Sequence, residues 1–168
     1  MSLNLNEKKA VVEAVAEVAK SSNAVVGASY IGISAEKMTE LRALARAQGV
    51  HLRIVKNTLA KRALADTEFA SCEDRLVGPL MLAFSTDEPS AGARIFKHFI
   101  KENATAKEMV QFLWFDGEVY AGESLDKIAS MPTKDEAIAM LMSVMKAPVA
   151  KLARTIDAVK AQKEAEAA

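Results

Sequence analysis

The sequence predicts an α/β protein: a compact N-terminal α/β domain with helices packed on a small sheet, followed by a long kinked C-terminal α-helical arm. Segments with strand and helix patterns alternate over residues 1 to about 130, which is typical of helices layered against a sheet. After Pro132 the apolar residues recur alternately four and three positions apart, which is the pattern of one long helical seam. The 168 residues are sufficient for one domain and an extension.

The elements of residues 1–131 follow from apolar periodicity and from cap and turn residues. In chain order we predict a helix over 7–20 capped by Asn6, a strand over 24–28, a helix over 35–48 capped by Ser34, a strand over 50–55, a helix over 57–65, a strand over 80–84, a helix over 89–101, a strand over 109–115, a turn at Asp116 and Gly117 into a strand at 119–120, and a short helix from Ser124 to about Met131.

The arm, residues 132–168, begins with a capping box from Thr133 to Glu136. Pro148 lacks a backbone N–H and predicts a kink that divides the arm into segments of about 134–147 and 148–164. The apolar seam, widened on its first turn by Leu141, consists of Ile138, Met142, Met145, Val149, Leu152, Ile156 and Val159. Such a stripe is not left facing water. Three ways of covering it are open: packing on its own domain, a homodimeric coiled coil, or a surface for partner helices.

Charge is balanced overall, with 22 basic and 22 acidic residues, but it is not evenly distributed. Residues 41–65 contain no acid and six basic side chains, namely Arg42, Arg46, Arg53, Lys56, Lys61 and Arg62. A cationic face on a neutral protein favours a polyanion bound at one place. The alternative is a solvated helix face whose acids lie elsewhere in the sequence.

The pattern within this run favours phosphate. The strand over 50–55 places Arg53 on the face opposite its apolar residues, and the following helix carries Asn57, Thr58, Lys61 and Arg62 on its polar side. We expect Asn57 or Thr58 to cap that helix, whose free N–H groups and dipole favour an anion. These donors suit an RNA backbone. The run itself has no code for reading bases and no aromatic platform beside it.

Catalytic chemistry has no pattern to support it. There is one cysteine, Cys72, and there is no Gly-rich phosphate loop, nucleophile elbow, H-E-x-x-H or C-x-x-C motif. We therefore expect no catalytic residue, no metal ligand and no cofactor. The N-terminus lacks a signal-peptide pattern and no apolar stretch is long enough for a bilayer, so we expect a soluble cytosolic protein.

Four stretches together resemble one family. They are MTELR at 38–42, RIVKNTL at 53–59, VGP at 77–79 and LMSVMKAP at 141–148. In this order and spacing the chain resembles, over essentially its full length, the bacterial ribosomal stalk-base proteins (large-subunit ribosomal protein ten). The resemblance implies a structural constituent of the large ribosomal subunit in the cytoplasm, and neither an enzyme nor a membrane protein.

The resemblance also implies a division of labour. Residues 1–131 would bind large-subunit rRNA beside the neighbouring large-subunit protein eleven. Residues 132–168 would carry two or three dimers of the acidic stalk protein, which recruit GTP-bound translation factors and thus engage those GTPases indirectly. The rRNA contact maps to Arg53, Lys56, Asn57, Thr58, Lys61 and Arg62, with Arg42 and Arg46 on the same face. The stalk-protein contact maps to Ile138, Leu141, Met142, Met145, Val149, Leu152, Ile156 and Val159.

The chain departs from the family pattern at Ile31, where many members carry an arginine before the glycine of that loop. A basic contact from this loop is therefore not carried over. Two further interpretations stay open at this point. One is a self-associating coiled-coil adaptor, and the other is a small cytosolic α/β enzyme dimerised through its terminal helix.

Overall fold

Helices and strands alternate through most of the computed structural model, which describes residues 4–103 and 109–166. The helices are α1 (Leu5–Lys20), α2 (Ala35–Ala47), α3 (Asn57–Leu64), α4 (Ala91–Glu102), α5 (Leu125–Ala129) and α6 (Lys134–Glu166). The strands are β1 (Ala24–Ser29), β2 (Val50–Ile54), β3 (Leu80–Ser85), β4 (Val110–Phe115) and β5 (Glu118–Ala121). Within the described residues, 3-10 helices span Glu68–Arg75 and Gly122–Ser124. The chain divides into two compact units, Met1–Met131 and Pro132–Ala168.

The first unit is built on one antiparallel sheet with strand order β2-β3-β1-β4-β5. The predicted α/β architecture is confirmed. All six residues of β3 are buried, as expected of a central strand covered on both faces. β2 and β5 are the edges, and β2 is mostly exposed. Asp116 and Gly117, both with positive φ, form the predicted hairpin turn between β4 and β5.

Helices cover both faces of the sheet, so this unit has two cores. On one face, α2, α4 and α5 contribute to a cluster that includes Leu41, Phe96 and Phe99. On the other face, α1, α3 and the 3-10 helix Glu68–Arg75 pack around Leu64 and Phe112. The alternation of each strand divides its side chains between these two clusters.

The predicted start of the first helix is wrong. α1 begins at Leu5 and its cap is Asn4, not Asn6. The reason is Glu7, whose carboxylate accepts from the Asn4 N–H at 2.8 Å and completes a capping box only with a residue three positions before it. Sequence periodicity also missed the 3-10 helix over 68–75, since its turns do not follow a 3.6-residue repeat.

The second unit is the helix α6. Its predicted capping box is confirmed: the Thr133 N–H donates to Glu136 Oε2 at 2.9 Å, and the Glu136 N–H donates to Thr133 Oγ1 at 3.2 Å. Helical structure continues without a break through Pro148. The two predicted segments are therefore parts of one helix of 33 residues. Proline removes the hydrogen bond to the Val144 carbonyl, and the bend angle at this point stays a prediction.

Candidate nucleic-acid interface and helical seam

The cationic residues of 41–65 lie on the edge strand β2 and on the elements directly before and after it in the chain. Arg53 pairs with Leu82, which belongs to the core on the α1 and α3 side. Its neighbour Leu52 packs against the core on the α2 side. Paired residues of an antiparallel sheet share a face, so Arg53 lies on the same side of the sheet as α3. Arg53 therefore lies on the face of β2 opposite its apolar residues, as predicted.

The two helices next to β2 carry the other predicted cations. On α3 the buried side consists of Leu59, Ala60, Ala63 and Leu64, so Arg62 is exposed and Lys61 is partly exposed. On α2, Arg42 and Arg46 are exposed next to the buried Leu41 and Ala45. Because α2 and α3 cover opposite faces of the sheet, Arg42 and Arg46 lie on the other side of the sheet from Lys61 and Arg62, and the cations do not form one flat patch. We call the whole set the basic rim.

The start of α3 differs from the prediction that Asn57 or Thr58 caps it. The N-cap residue is Lys56, and it makes no side-chain cap hydrogen bond. The amide of Asn57 instead donates to two carbonyls of the loop before β3, those of Leu76 at 3.3 Å and Gly78 at 2.8 Å. Both donors of that amide are thus used within the fold. Asn57 fixes the 76–78 loop against α3, while Lys56 and Thr58 are left exposed.

These cations form no salt bridge with a carboxylate in the part of the chain that the structure describes. The ion pairs in residues 4–103 and 109–166 include Lys97–Asp126, His98–Glu102 and Lys160–Glu164, and none of these contains a basic residue of 41–65. The carboxylate of Asp87 lies beside Gly49, at the end of β2 where Val50 pairs with Ser85. The opposite end of β2, some 14 Å away at about 3.4 Å per residue, leads to Lys56.

Sequence reasoning missed an aromatic residue at that second end. A depression of about 360 Å³ lies where β1 and β2 finish and β3 begins, and Tyr30 lines it together with Lys56 and Thr58. The expectation that no aromatic side chain stands beside the basic run is therefore corrected. Tyr30 and Lys56 are 26 positions apart, and only the pairing of β1 and β2 with β3 brings their strand ends together.

Two lysines of α1 were also missed. Lys8 and Lys9 line a depression of about 230 Å³ with Arg62, which α3 contributes. The contact between α1 and α3 thus extends the basic rim onto a third element. Glu13 lies in the same depression and offsets part of this charge. The signal was present in the sequence as a Lys-Lys pair near a helix start, but nothing there indicated which helix α1 would pack against.

Cys72 is fully buried, and burial raises the pKa of its thiol to about 12. A thiol kept protonated is a poor nucleophile, so Cys72 serves as a small residue of the core. No group of three or more potential metal-ligating side chains occurs in the described ranges. Among these same residues, no helix combines the length and the apolar character that crossing a bilayer requires.

The apolar seam of α6 is solvent-exposed along its whole length. Exposed fractions range from 47% at Ile138 to 73% at Val149. Met140 and Val144, outside the predicted seam, are also exposed, at 59% and 63%. Between Ala137 and Met145 only Ser143 is polar, so this part of α6 is apolar around most of its circumference, a pattern typical of a helix enclosed by other helices.

Comparison with known proteins now identifies the family. The family model described as "Ribosomal protein L10" matches residues 3–101, and a second one, "Ribosomal protein uL10 C-terminal region", matches residues 131–167. The chain belongs to the ribosomal protein L10 family. It is therefore a ribosomal protein, and the small α/β enzyme considered above is excluded by this membership.

Individual relatives agree with the family assignment. The protein named large ribosomal subunit protein uL10 from Dichelobacter nodosus is 52% identical over 166 residues, which is 98% of this chain and 99% of that one. The protein of the same name from Thioalkalivibrio sulfidiphilus is 50% identical and covers 95% of this chain and 89% of its own length. That from Pseudomonas fluorescens is 46% identical over the full length of both. The sequence-based recognition is confirmed.

Proposed function

We propose that this ribosomal protein is the scaffold at the base of the stalk of the large ribosomal subunit, and that it acts in the cytoplasm as large-subunit proteins do. In this proposal the first unit anchors on large-subunit rRNA through the basic rim around β2. The helix α6 carries dimers of an acidic stalk protein, which in turn recruit GTP-bound translation factors. The neighbouring position of protein eleven stays a prediction, because no described surface tests it.

The observation that carries the proposal is the exposed seam of α6. From Ile138 to Val159 it extends over about 33 Å of helix at about 1.5 Å per residue, with every seam residue at least 47% exposed. Contiguous apolar surface of this kind marks a binding site in a soluble protein. Two or three helical dimers side by side would cover it, one or more on each side of Pro148.

Charge favours an acidic occupant over a second copy of α6. Residues 137–156 contain Lys146, Lys151 and Arg154 and no acid. Two copies in parallel would place these like charges along one interface, whereas an acidic partner neutralises them. Proline within the seam further disfavours a long two-stranded coiled coil.

Native mass spectrometry of the full chain co-expressed with the acidic stalk protein tests this arm function. We expect a pentamer for two bound dimers or a heptamer for three, with no smaller complex as the main species. A homodimer of this chain that excludes the stalk protein would overturn the proposal and favour the self-associating adaptor.

The rRNA contact is tested separately, by salt dependence. Each phosphate contact contributes a slope of about −0.7 to −0.9 to log K against log salt concentration. Replacing Lys56, Lys61 and Arg62 with Ala should therefore weaken binding to transcribed large-subunit rRNA and reduce the slope by roughly 2 to 3. The matched control replaces three exposed lysines elsewhere on the unit, Lys20, Lys101 and Lys127. Equal effects of the two triple variants would contradict a localised RNA-binding face.

A further inference from the structure

The depression next to Lys56 is formed by three segments that are distant in the sequence. Tyr30 follows β1, Ile54 to Thr58 join β2 to α3, and Gly78 and Pro79 precede β3. The antiparallel pairing brings these ends together, because Ser29 lies opposite Leu80 and Ile54 opposite Met81. The volume of about 360 Å³ is near the lower end of the range for small-molecule sites, roughly 300–1,000 Å³.

Its chemistry is divided between an apolar part and a cationic part. Tyr30 is 37% exposed and Ile54 is 42% exposed, although both are large apolar side chains. Lys56 and Thr58 are exposed on the α3 side. Among the described residues that line the depression there is no carboxylate. An exposed aromatic ring beside an unpaired ammonium group and a hydroxyl is the combination that binds a flat ring carrying a phosphate.

The walls of this depression are held in place before any ligand arrives. The Asn57 amide ties the carbonyls of Leu76 and Gly78 to the start of α3. Two of the three segments that form the depression are thus cross-linked by hydrogen bonds. A preformed site loses less conformational entropy on binding than a flexible loop does.

We propose that this depression binds one unpaired nucleobase of the RNA, stacked on the ring of Tyr30, with the adjoining phosphate held by Lys56 and the Thr58 hydroxyl. This rests on the proposed function, because it assumes that the basic rim faces rRNA, and it assigns a base-binding subsite within that rim. The remaining cations position the backbone. Tyr30 selects for RNA in which a base is free of the helix, since a paired base offers no face to the ring.

Substitution of Tyr30 in the full chain tests the proposal, with transcribed large-subunit rRNA as the probe. Tyr30→Leu keeps apolar bulk but removes the flat ring, and we expect affinity to fall by roughly 5- to 150-fold, the range for loss of one stacking aromatic side chain. Tyr30→Phe should bind like the wild type. The salt slope should stay unchanged in both variants, because stacking releases no counterions, whereas Lys56→Ala should reduce it by about 0.7 to 0.9.

A second variant reports stacking directly and does not depend on how well the Leu variant folds. The chain has a single tryptophan, Trp114, which is 4% exposed. In Tyr30→Trp the added indole should be quenched when rRNA binds, while the emission of the wild type, from Trp114 alone, stays constant. Tyr120→Leu, on the opposite edge strand, controls for the loss of a tyrosine as such.

The outcomes separate this proposal from the proposed function. If the wild-type chain and Lys56→Ala behave as expected but Tyr30→Leu binds like the wild type and the Trp variant is not quenched, the base-binding subsite is wrong and the rRNA anchor stands. If Tyr30→Phe binds rRNA as weakly as Tyr30→Leu does, the proposed stacking of a base on the ring is also wrong. If the wild-type chain does not bind large-subunit rRNA, the proposed anchor fails as well.

Discussion

Placing carboxylates on the seam of α6 tests the arm most sharply. We consider the double variant Met145→Asp with Leu152→Asp, two seam positions separated by Pro148. In the free chain Met145 is 72% exposed and Leu152 is 64% exposed. Full burial of such a side chain contributes about 1.5–3 kcal/mol, so covering the remaining two thirds contributes about 1–2 kcal/mol at each site.

The expected loss follows from these exposed fractions. Losing about 2–4 kcal/mol in total weakens binding of the acidic stalk protein by roughly 30- to 1,000-fold. The two new carboxylates add a further penalty, because each is desolvated at the interface and each faces a partner of the same sign. We therefore expect the Kd for the stalk protein to rise by at least this factor. Isothermal titration calorimetry with the purified stalk protein measures the affinity, and helicity by circular dichroism verifies that α6 is intact.

The matched control is Ala150→Asp with Ala158→Asp. Both alanines are exposed and lie on α6 about 120° or more from the centre of the seam at about 100° per residue. The control adds the same charge to the same helix and should bind within a few-fold of the wild type. Binding of the seam variant at wild-type strength would refute the reasoning, as would equal weakening by both pairs. Loss of rRNA binding together with stalk-protein binding would refute the separation of the two functions.

Three smaller predictions concern the first unit. The Cβ of Gly27→Ala would overlap ring atoms of Phe112 on the neighbouring strand. We expect the free energy of unfolding to fall by about 1–3 kcal/mol and the Tm in a thermal melt to fall by roughly 4–10 °C. Adding Phe112→Leu should restore part of this stability. Asn57→Asp should destabilise the unit more than Asn57→Ala in urea titrations, because its carboxylate faces two carbonyl oxygens that the amide now satisfies, and equal losses would contradict that bonding. Burial raises the pKa of the Cys72 thiol from 9.0 to about 12. At pH 8 the thiol should therefore react with a thiol reagent about a thousandfold more slowly in the native chain than in urea. Comparable rates would show that the thiol is accessible.

The α/β class, the order of elements and the long terminal helix are readable in the sequence because they depend on local pattern. Strand alternation, cap residues and the heptad seam are properties of neighbouring residues. Of the two wrong caps, one has a local cause and the other a distant one. The cap of α1 is Asn4 because Glu7 completes its box, and the cap predicted for α3 at Asn57 or Thr58 is replaced by Lys56, because the Asn57 amide bonds to a loop about 20 positions away.

Side-chain partners distant in sequence were decided only by the tertiary structure. Nothing in the chain indicated that Tyr30 would stand beside Lys56, since that requires β1 and β2 to flank β3. Nor did it indicate that α1 would bring Lys8 and Lys9 to Arg62. The sequence did predict that Arg53, Lys56, Lys61 and Arg62 lie near one another, because they fall within ten positions on one strand and the helix that follows it.

The amino-acid sequence by itself determined the family, the fold class, the basic run and the apolar seam, because each is carried by residues at fixed short spacings. The tertiary structure decided how the basic run is used. It placed part of the run on an exposed edge strand and brought Tyr30, from another loop, next to Lys56. It also used the Asn57 amide for hydrogen bonds within the fold. Antiparallel pairing between distant segments sets these neighbours, and register between distant strands depends on the packing of both faces of the sheet rather than on local pattern.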